Sequence, residues 1–455
     1  MSLAAARRYL ILGSGVAGIG AVEAIRAADP IGEITIVSAD PFGYYSRPGL
    51  AYFLSGELNE DMLYPMQKQD FRALNLKWVQ GKAARILLTE HRVVLENSAV
   101  LPYDRLLIAT GSTAAPLDVP GAEREGVFKL DDMADARAIL KAARRGRTAV
   151  VIGGGITALE LVEGLRARGM KVHYLLRGGR YWPNVLDETE SRIVEERLRH
   201  DGIQLHDNTS IKEIISRNGR VNAVRLNDGG QIPCELVAYA IGVLPRKEIA
   251  ALAGLNLDRG ILVNEYMQTS DPNIYAAGDV AQVFDPFSGQ SVLDTLWTTA
   301  RMQGRYAGQN MSGTPVPYHK EVPLNVTRLA GITTTIIGTV GKGVDASLVG
   351  IARGDSETWR QLPDSVVAEQ HFEVNRVRML LGRGDSPEYS RILGAVVMGD
   401  QTLSVPLQEL VNSRADISPI RDLLLRSNRP ADIILTFWEK WRASHAAAAS
   451  PTAQH

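Results

Sequence analysis

The sequence predicts an α/β protein with two nucleotide-binding sheets of the Rossmann type and a smaller α+β region after them. Two observations support the sheets: a buried strand, a glycine turn, a helix and a strand follow one another in RRYLILGSGVAGIGAVEAIRAADPIGEITIVSAD, and the same order recurs in RTAVVIGGGITALELVEGLRARGMKVHYLLRGGR. Beyond Tyr318, strand-like runs such as HFEVNRVRMLLGRG are followed by helical patterns. This change of pattern predicts the third region.

Length, composition and charge narrow the class of protein. The chain has 455 residues, 45% of them hydrophobic, which at ~150 residues per domain predicts about three domains with buried cores. Its formal net charge is -1 with both signs mixed, so we predict no nucleic-acid partner. The apolar run near Arg8 ends in a glycine turn, which favours a buried strand over a targeting signal. No other apolar run is long enough to span a bilayer.

The single cysteine limits the redox chemistry. Cys234 excludes an internal disulfide and an iron–sulfur cluster held by this chain alone. It lies in the apolar run QIPCELVAYAIG, so we interpret it as inert core. A cysteine-poor chain is compatible with a reducing cytoplasm, the localisation that we predict. His173, His200 and His206 occupy strand or turn positions that need no metal, and we predict no metal site.

The first glycine turn has the spacing of a dinucleotide site. Gly13 permits a tight turn, Gly15 lets the backbone approach a pyrophosphate, and Gly18 allows the helix and strand to pack closely. The second strand ends in Ala39 and Asp40, so Asp40 is the candidate carboxylate for ribose hydroxyls. The alternative is that Asp40 is an exposed loop residue.

The second glycine turn departs from the first at two places. Gly153 and Gly155 supply the turn and the close approach, but the third position is Ala158. The following strand ends in Leu176 and Arg177 instead of a carboxylate. Two dinucleotide sites in one chain allow one nucleotide to pass a hydride directly to the other, which predicts a flavoprotein reductase.

The end of this strand predicts which nicotinamide nucleotide is used. An acidic residue there would accept a bond from a free ribose 2'-hydroxyl and repel a 2'-phosphate, whereas an arginine favours the phosphate. Arg177 and Arg180 are therefore the candidate phosphate ligands, and we predict NADPH rather than NADH. The alternative is that both arginines are solvated loop charges.

Further segments complete a recognisable order of motifs. LLIATGS (Leu106–Ser112) and NIYAAGDVA (Asn273–Ala281) each read as a buried strand that ends in a turn of small residues. With the two glycine turns and AIG, the chain from Arg7 to Asn310 resembles the two-dinucleotide-binding flavoprotein family. This family includes the pyridine nucleotide-disulfide reductases, the rubredoxin and ferredoxin reductases and the flavin module of NADH-dependent nitrite reductase. The resemblance implies an oxidoreductase that uses FAD and NAD(P)H.

The resemblance also implies roles for individual residues. Asp279 would bond the FAD ribityl chain, Arg47 would lie beside FAD, and the backbone near Ala84 would contact adenine. Trp297 matches a position near the flavin edge, although a large aromatic residue in an apolar stretch is more often part of a core. The cofactor-binding candidates are Gly13, Gly15, Ala17, Gly18, Asp40, Arg47, Ala84, Ala109, Thr110, Gly111, Gly278, Asp279, Gly153, Gly155, Ile156, Ala158, Arg177, Arg180 and Gly242.

The chain differs from members of this family at the positions that take part in their chemistry. The thiol-using branch has a cysteine immediately before the GLxYxxSG stretch, and this chain has Pro48 there, which removes the nucleophile. The ferredoxin reductase branch pairs a lysine with a glutamate of the second glycine motif; the glutamate is Glu160, but Tyr52 stands at the lysine position. Glu160, Tyr52 and Trp297 are the candidates for a place near the flavin and nicotinamide.

The order of motifs also predicts the domain organisation. Residues 1–115 and 245–318 would form a discontinuous FAD domain, and 116–244 the NAD(P) domain. Residues 319–455 would form a dimer interface or docking surface with a disordered tail.

We expect an FAD-dependent NAD(P)H oxidoreductase that passes hydride from nicotinamide to flavin and then electrons to an external acceptor. An iron–sulfur or rubredoxin-like carrier, or an iron–sulfur partner subunit, is the expected acceptor because the chain offers no thiol or cluster. One alternative is an NAD(P)H oxidase or quinone reductase. Another is a flavoprotein binding or assembly module with slow redox turnover.

Overall fold

A computed structural model of the protein describes residues 6–286, 288–341, 365–372, 375–383 and 389–449. These residues group into two compact units. The first contains residues 6–179 and 201–320, and the second contains residues 180–200, 321–341 and the described residues from 365 onward. The three domain ranges expected from the sequence stay a prediction.

The amino-terminal part of the first unit alternates short strands and helices, with a 3-10 turn at Glu60–Leu63. Its first strand, RYLIL, is buried from its second residue onward, as expected for an inner strand of a parallel sheet. The elements here are β1 (Arg8–Leu12), α1 (Val16–Ala28), β2 (Glu33–Ser38), α2 (Gly49–Ser55), α3 (Lys68–Ala73), β3 (Leu76–Gln80), β4 (Ala83–Leu87), β5 (Arg92–Leu95), β6 (Val100–Pro102), β7 (Arg105–Ile108) and β8 (Ser112–Ala114).

The middle part of the chain repeats the alternation of strand and helix. Its first helix is capped by Asp132, whose carboxylate accepts the backbone N–H of Asp135 at 2.9 Å. The elements are β9 (Val127–Lys129), α4 (Met133–Ala142), β10 (Thr148–Ile152), α5 (Ile156–Ala167), β11 (Lys171–Leu175), α6 (Glu188–His200), β12 (Gln204–His206), β13 (Ile211–Arg217), β14 (Arg220–Leu226), β15 (Gln231–Pro233) and β16 (Leu236–Tyr239).

The chain then continues through short strands to a long helix. These elements are β17 (Val243–Pro245), α7 (Glu248–Leu252), β18 (Ile261–Leu262), β19 (Ile274–Ala276), β20 (Ala281–Asp285), β21 (Gln290–Val292) and α8 (Trp297–Met311). The carboxyl-terminal part contributes β22 (Leu324–Leu329), β23 (Ile332–Gly338), β24 (Ser365–Phe372), β25 (Asn375–Arg383), β26 (Ser390–Met398), α9 (Ser404–Asn412), α10 (Ser418–Arg426) and α11 (Pro430–Ala449).

The first unit is built on two parallel sheets, as the sequence predicts. The first sheet has the strand order β19–β7–β1–β2–β3, so one of its strands comes from beyond the second sheet in the chain. The second sheet has the order β12–β11–β10–β16–β9. Every pair of neighbouring strands in both sheets is parallel. The carboxyl ends of the inner strands therefore lie along one edge of each sheet, where nucleotides bind in such folds.

The second unit is built on one antiparallel sheet. Its strand order is β22–β23–β26–β25–β24, and α9, α10 and α11 contribute side chains to the same core. Arg378 is buried in this unit and donates to both carboxylate oxygens of Glu190, at 2.8 and 2.9 Å, so neither charge is left alone. Among the described residues, no helix combines the length and apolar composition that crossing a bilayer requires.

Two histidines meet where β11 and β12 lie side by side. The ring nitrogens His173 Nδ1 and His206 Nε2 are 3.0 Å apart, and the rings stack at 5.2 Å. Burial lowers the pKa of His173 from its ordinary 6.5, and the neighbouring His206 lowers it further. Burial also lowers the pKa of His206, although Asp207 opposes that shift. The folded state therefore favours two neutral rings.

Acidification should destabilise the fold through this pair. Below about pH 6.5 the unfolded chain takes up protons that the folded pair resists, so stability falls from that pH downward. We expect His206→Gln, which removes one ring, to reduce the drop in melting temperature between about pH 7 and pH 5.5. Differential scanning calorimetry measures this drop, and His200→Gln, at an exposed position at the end of α6, is the matched control. An unchanged drop in His206→Gln would contradict the assignment.

Candidate functional site

The first glycine turn is sterically required. Gly13 has a φ of +116°, and a Cβ there would lie 2.1 Å from the carbonyl oxygen of Ala109. A Cβ on Gly18 would lie 2.1 Å from the carbonyl oxygen of Gly13. By contrast, no described atom lies within 4 Å of a Cβ built on Gly15, which precedes α1. The turn thus packs against the strand ends and leaves its middle open for a ligand.

Two further turns meet the first one at the same sheet edge. The parallel pairing of β1 with β7, and of β7 with β19, brings Ala109 and Gly278 beside the glycine turn. A Cβ on Gly278 would lie 3.0 Å from that of Ala17 at the start of α1. Asp279 follows, and its carboxylate accepts the Ser112 hydroxyl at 2.7 Å. The FAD candidates of the first turn, of residues 109–111 and of residues 278–279 are therefore together.

A buried glutamine, which the sequence analysis missed, lies beside these turns. Gln303 on α8 is fully buried, and its Oε1 accepts the backbone N–H of Gly278 at 2.8 Å. Its Nε2 is buried and makes no hydrogen bond within the described chain. Buried amide donors are normally satisfied. The only signal in the sequence was a polar residue among the small residues that form the buried face of α8.

These features fit FAD. The N-terminus of α1 offers backbone N–H groups to a pyrophosphate, Asp279 offers an acceptor for a hydroxyl, and Gln303 has an amide donor to satisfy. FAD bound here would supply hydride acceptance and stepwise electron release, while the chain binds and orients it.

The candidate ribose carboxylate belongs to a local hydrogen-bond network. Asp40 Oδ1 accepts the backbone N–H of Phe42 at 2.9 Å, and Oδ2 accepts the hydroxyl of Tyr45 at 3.0 Å. Arg47 lies 3.5 Å from the same oxygen. Burial raises the pKa of the Tyr45 hydroxyl well above its ordinary value, so it remains a donor. Ala84 lies on β4 and is half-buried.

The second glycine turn repeats the steric logic of the first. A Cβ on Gly153 would lie 2.2 Å from the carbonyl oxygen of Ala240 and 2.8 Å from the Cβ of Ala158. Gly155 precedes α5, whose first residue is Ile156. A small pocket at this helix start is lined by Ala114, Leu130, Gly155, Thr157, Tyr239 and Gly242. Five of the seven candidates for the nicotinamide nucleotide therefore lie close together at the start of α5: Gly153, Gly155, Ile156, Ala158 and Gly242.

The end of β11 carries one of the two predicted phosphate ligands. Leu176 is buried and Arg177 is exposed. The loop after them is held by bonds from Leu176 N–H to the carbonyl of His206, at 2.9 Å, and from Asn208 N–H to the carbonyl of Gly178, at 3.0 Å. Arg180 belongs to the second unit, where it donates to the carbonyl of Pro183 at 3.3 Å.

The helices carrying Tyr52 and Glu160 pack together. A Cβ on Gly164 of α5 would lie 2.9 Å from that of Leu54 on α2. Glu160 lies one turn before Gly164 and so on the same face of α5. Tyr52 on α2 is 37% exposed. The two candidates are therefore carried by facing helices, and Pro48 stands at the N-cap of α2.

Trp297 is the first residue of α8 and is 36% exposed, with the Arg301 guanidinium 5.8 Å from its ring centre. It is thus a surface residue rather than core. The roles assigned to all these residues from the sequence stay predictions.

The single thiol is inert in this environment. Cys234 is buried, and burial raises the pKa of its thiol to about 12. It therefore remains protonated at neutral pH and is a poor nucleophile. No cluster of His, Cys, Asp and Glu side chains that could hold a metal ion occurs in the part of the chain that the structure describes.

Two parallel sheets, each with a glycine turn of the dinucleotide-binding type, are the arrangement typical of flavin-dependent oxidoreductases. Residues 7–304 match the family model described as pyridine nucleotide-disulphide oxidoreductase. The chain belongs to this family, whose members use FAD and NAD(P)H.

Individual relatives agree with this assignment. The chain is 32% identical to rhodocoxin reductase of Rhodococcus erythropolis over 353 residues, covering 74% of this chain and 82% of that protein. It is 28% identical to nitrite reductase [NAD(P)H] of Bacillus subtilis (strain 168) over 415 residues, covering 90% of this chain and 48% of that protein. The chain thus spans about half the length of the first curated relatives it matches.

A solved structure gives the same fold. A chain in the crystal structure of the covalent putidaredoxin reductase-putidaredoxin complex matches this protein with a TM-score of 0.82 and a sequence identity of 24%. The match covers 95% of this chain and 99% of that chain. The predicted fold class is confirmed by this agreement.

The orphaned amide of Gln303 provides a test of the FAD site. Gln303→Leu should leave the buried Gly278 N–H without its acceptor, which costs about 1–3 kcal/mol of stability. The substitution also removes the amide donor available to FAD. We expect the FAD dissociation constant of the apoprotein to rise about tenfold or more. Quenching of FAD fluorescence measures it, with half-buried Gln309→Leu on the same helix as the control. Unchanged FAD affinity would argue against a role for Gln303.

Proposed function

We propose that this protein is an FAD-dependent NADPH reductase that delivers electrons to a small iron–sulfur or rubredoxin-like carrier protein, or to an iron–sulfur partner subunit. The observation that carries the proposal is the pairing of two dinucleotide sites in one unit with a lone thiol that is buried and protonated. A thiol in this state does not accept electrons from the flavin, so the electrons pass to an acceptor other than a thiol of this chain. The name of rhodocoxin reductase is consistent with a protein acceptor.

NADPH preference rests on the end of β11. No carboxylate occurs from Leu175 to Arg180, so nothing in that stretch would repel a 2'-phosphate. Arg177 is exposed there on a loop held by three backbone bonds, counting that of Thr209 N–H to the carbonyl of Leu176 at 2.9 Å. A guanidinium on such a loop can form a charge-assisted pair with phosphate.

The nucleotide preference is testable by stopped-flow measurement. NADPH should bleach the flavin faster than NADH under anaerobic conditions. Arg177→Gln should raise the NADPH dissociation constant about tenfold, because a hydrogen bond to a charged group contributes about 1.5–3 kcal/mol, and should leave NADH unaffected.

Arg217→Gln, an exposed arginine on β13, is the control for this variant. Faster bleaching by NADH in the unmodified protein would contradict the NADPH proposal and leave the reductase proposal intact.

The carrier would dock along α8, on the side that faces α1. A groove between α1 and α8 is lined by Glu23, Ala24, Ala27, Ala28, Arg301, Arg305 and Gln309. Arg301 is paired with Glu23 at 3.1 Å, whereas Arg305 is exposed and forms no ion pair with another described residue. An exposed arginine in a groove near Trp297 favours an acidic partner surface.

Charge reversal at this groove should separate flavin reduction from electron delivery. Arg305→Glu should leave bleaching by NADPH unchanged and raise the KM for a [2Fe–2S] ferredoxin or rubredoxin probe about tenfold at low salt, an effect that shrinks as salt is added. Arg85→Glu, an exposed charge on β4, is the matched control.

Equal effects of the Arg305 and Arg85 reversals would rule out this docking place. Rapid NADPH consumption in air without any carrier would favour the oxidase or quinone reductase alternative. Slow bleaching at saturating nucleotide would favour an assembly role. Cytoplasmic localisation and a homodimer formed through residues 319–455 stay predictions.

A further inference from the structure

The chain crosses between the two parallel sheets twice, and each crossing is short. β8 leads out of the first sheet and β17 leads back, and they pair antiparallel, with Ser112 opposite Pro245 and Ala114 opposite Val243. Each strand has three residues. A two-stranded ribbon is only marginally stable by itself, so other contacts must hold the angle between the two sheets.

One buried carboxylate joins both crossings to the second sheet. Asp131 follows β9, and its side chain is 0% exposed. Its Oδ2 accepts the hydroxyl of Thr113 on β8 at 3.0 Å and the guanidinium of Arg246, just after β17, at 2.9 Å. Lys129, the last residue of β9, lies 3.4 Å from the same oxygen. A single oxygen thus binds the outgoing strand, the end of the returning strand and the second sheet.

The backbone of the same segment is bonded to the loop after β2 of the first sheet. The carbonyl of Asp131 accepts Arg47 Nη1 at 2.7 Å, and Arg47 also pairs with Asp40. Two residues on, the N–H of Met133 donates to the Tyr45 hydroxyl at 3.0 Å. The segment is therefore connected to the network of the candidate ribose carboxylate.

The outgoing crossing is also connected to the other end of the candidate FAD site. Ser112, which precedes Thr113 on β8, donates to Asp279 at 2.7 Å. The chain of bonds therefore runs from Asp279 through two neighbouring residues of β8 to Asp131, and from Asp131 through Arg47 to Asp40.

A buried charge makes this arrangement selective. A carboxylate removed from water is tolerated only when its hydrogen-bonding and ionic partners are in place. A rotation of the second sheet that moved Asp131 away from Thr113 or Arg246 would leave charged groups buried without full compensation. Hydride transfer requires reacting atoms about 3–3.5 Å apart, and a misplacement of about 1 Å can slow a reaction about 100-fold.

We propose that Asp131 is a positioning residue that sets the angle between the two dinucleotide-binding sheets and thereby places the nicotinamide against the flavin. The proposal rests on the reductase function proposed above. Asp131 touches neither nucleotide in this scheme and acts through Thr113, Arg246 and Arg47.

Kinetics of the Asp131→Asn variant test this role. Asparagine keeps the shape and can still accept from Thr113, but it cannot neutralise Arg246 and Lys129. We expect flavin bleaching by NADPH to slow about 10–100-fold, with little change in the dissociation constants of FAD and NADPH. The long-wavelength absorbance of NADP⁺ stacked on reduced flavin should decrease. Glu235→Gln, which removes an exposed pair with Arg147, is the control and should leave all four quantities unchanged.

A distance measurement tests the angle without turnover. Ile31→Cys, just before β2 of the first sheet, and Lys212→Cys on β13 introduce exposed labelling sites. The native thiol of Cys234 is buried and should not be labelled. Pulsed electron paramagnetic resonance between nitroxide labels should give one narrow distance distribution in the FAD-loaded protein. Asp131→Asn should broaden or shift it. If Asp131→Asn does not fold, Thr113→Val removes only the hydroxyl and should broaden the distribution to a smaller extent.

Three results distinguish the outcomes. A distance distribution that is unchanged in Asp131→Asn overturns the proposal. If Asp131→Asn does not fold, an unchanged distribution in Thr113→Val overturns it. Slow bleaching with an unchanged distribution and unchanged stacking absorbance also overturns it, because Asp131 would then act on the chemistry itself. If the unmodified protein is bleached by neither nucleotide, the reductase function fails, and the distance distribution still decides whether Asp131 sets the angle.

Discussion

The close crossing of α1 and α8 is the constraint on which the FAD-binding half depends. A Cβ on Gly304 would lie 2.0 Å from the carbonyl oxygen of Ala17, and one on Gly308 would lie 2.4 Å from that of Ala21. The two backbones therefore touch, and a side chain at either glycine would separate them. This contact holds the middle of α8 against the start of α1, which follows the first glycine turn.

The two faces of α8 then serve different purposes. Its inner face brings Gln303 to the backbone N–H of Gly278, so the turn that carries Asp279 is held from within the core. Its outer face carries Arg301 and Arg305 along the groove beside α1. One helix thus connects the support of the cofactor turns with the surface at which a partner would arrive, and both depend on the glycine contacts.

Much of the fold and part of the site could be predicted from local sequence. The two glycine turns were recognisable because a residue without a Cβ at a strand end has a local steric reason, as Gly13 and Gly153 demonstrate. Pro48 and the lone Cys234 were equally informative, because the absence of a nucleophile is a property of residue type. Gln303 and Asp131 were missed, because the type of a polar residue does not indicate which distant group it binds.

The sequence by itself determined the class of fold, the two glycine turns and the place of a proline where the thiol-using branch has a cysteine, because each depends on residue type and short spacing. Only the tertiary structure decided that Thr113 and Arg246, far apart in the chain, bind one buried oxygen of Asp131. Only it decided that Trp297 is a surface residue and that α2 faces α5. The physical reason is that long-range pairs form after strands and helices have packed, and local periodicity contains no information about those partners.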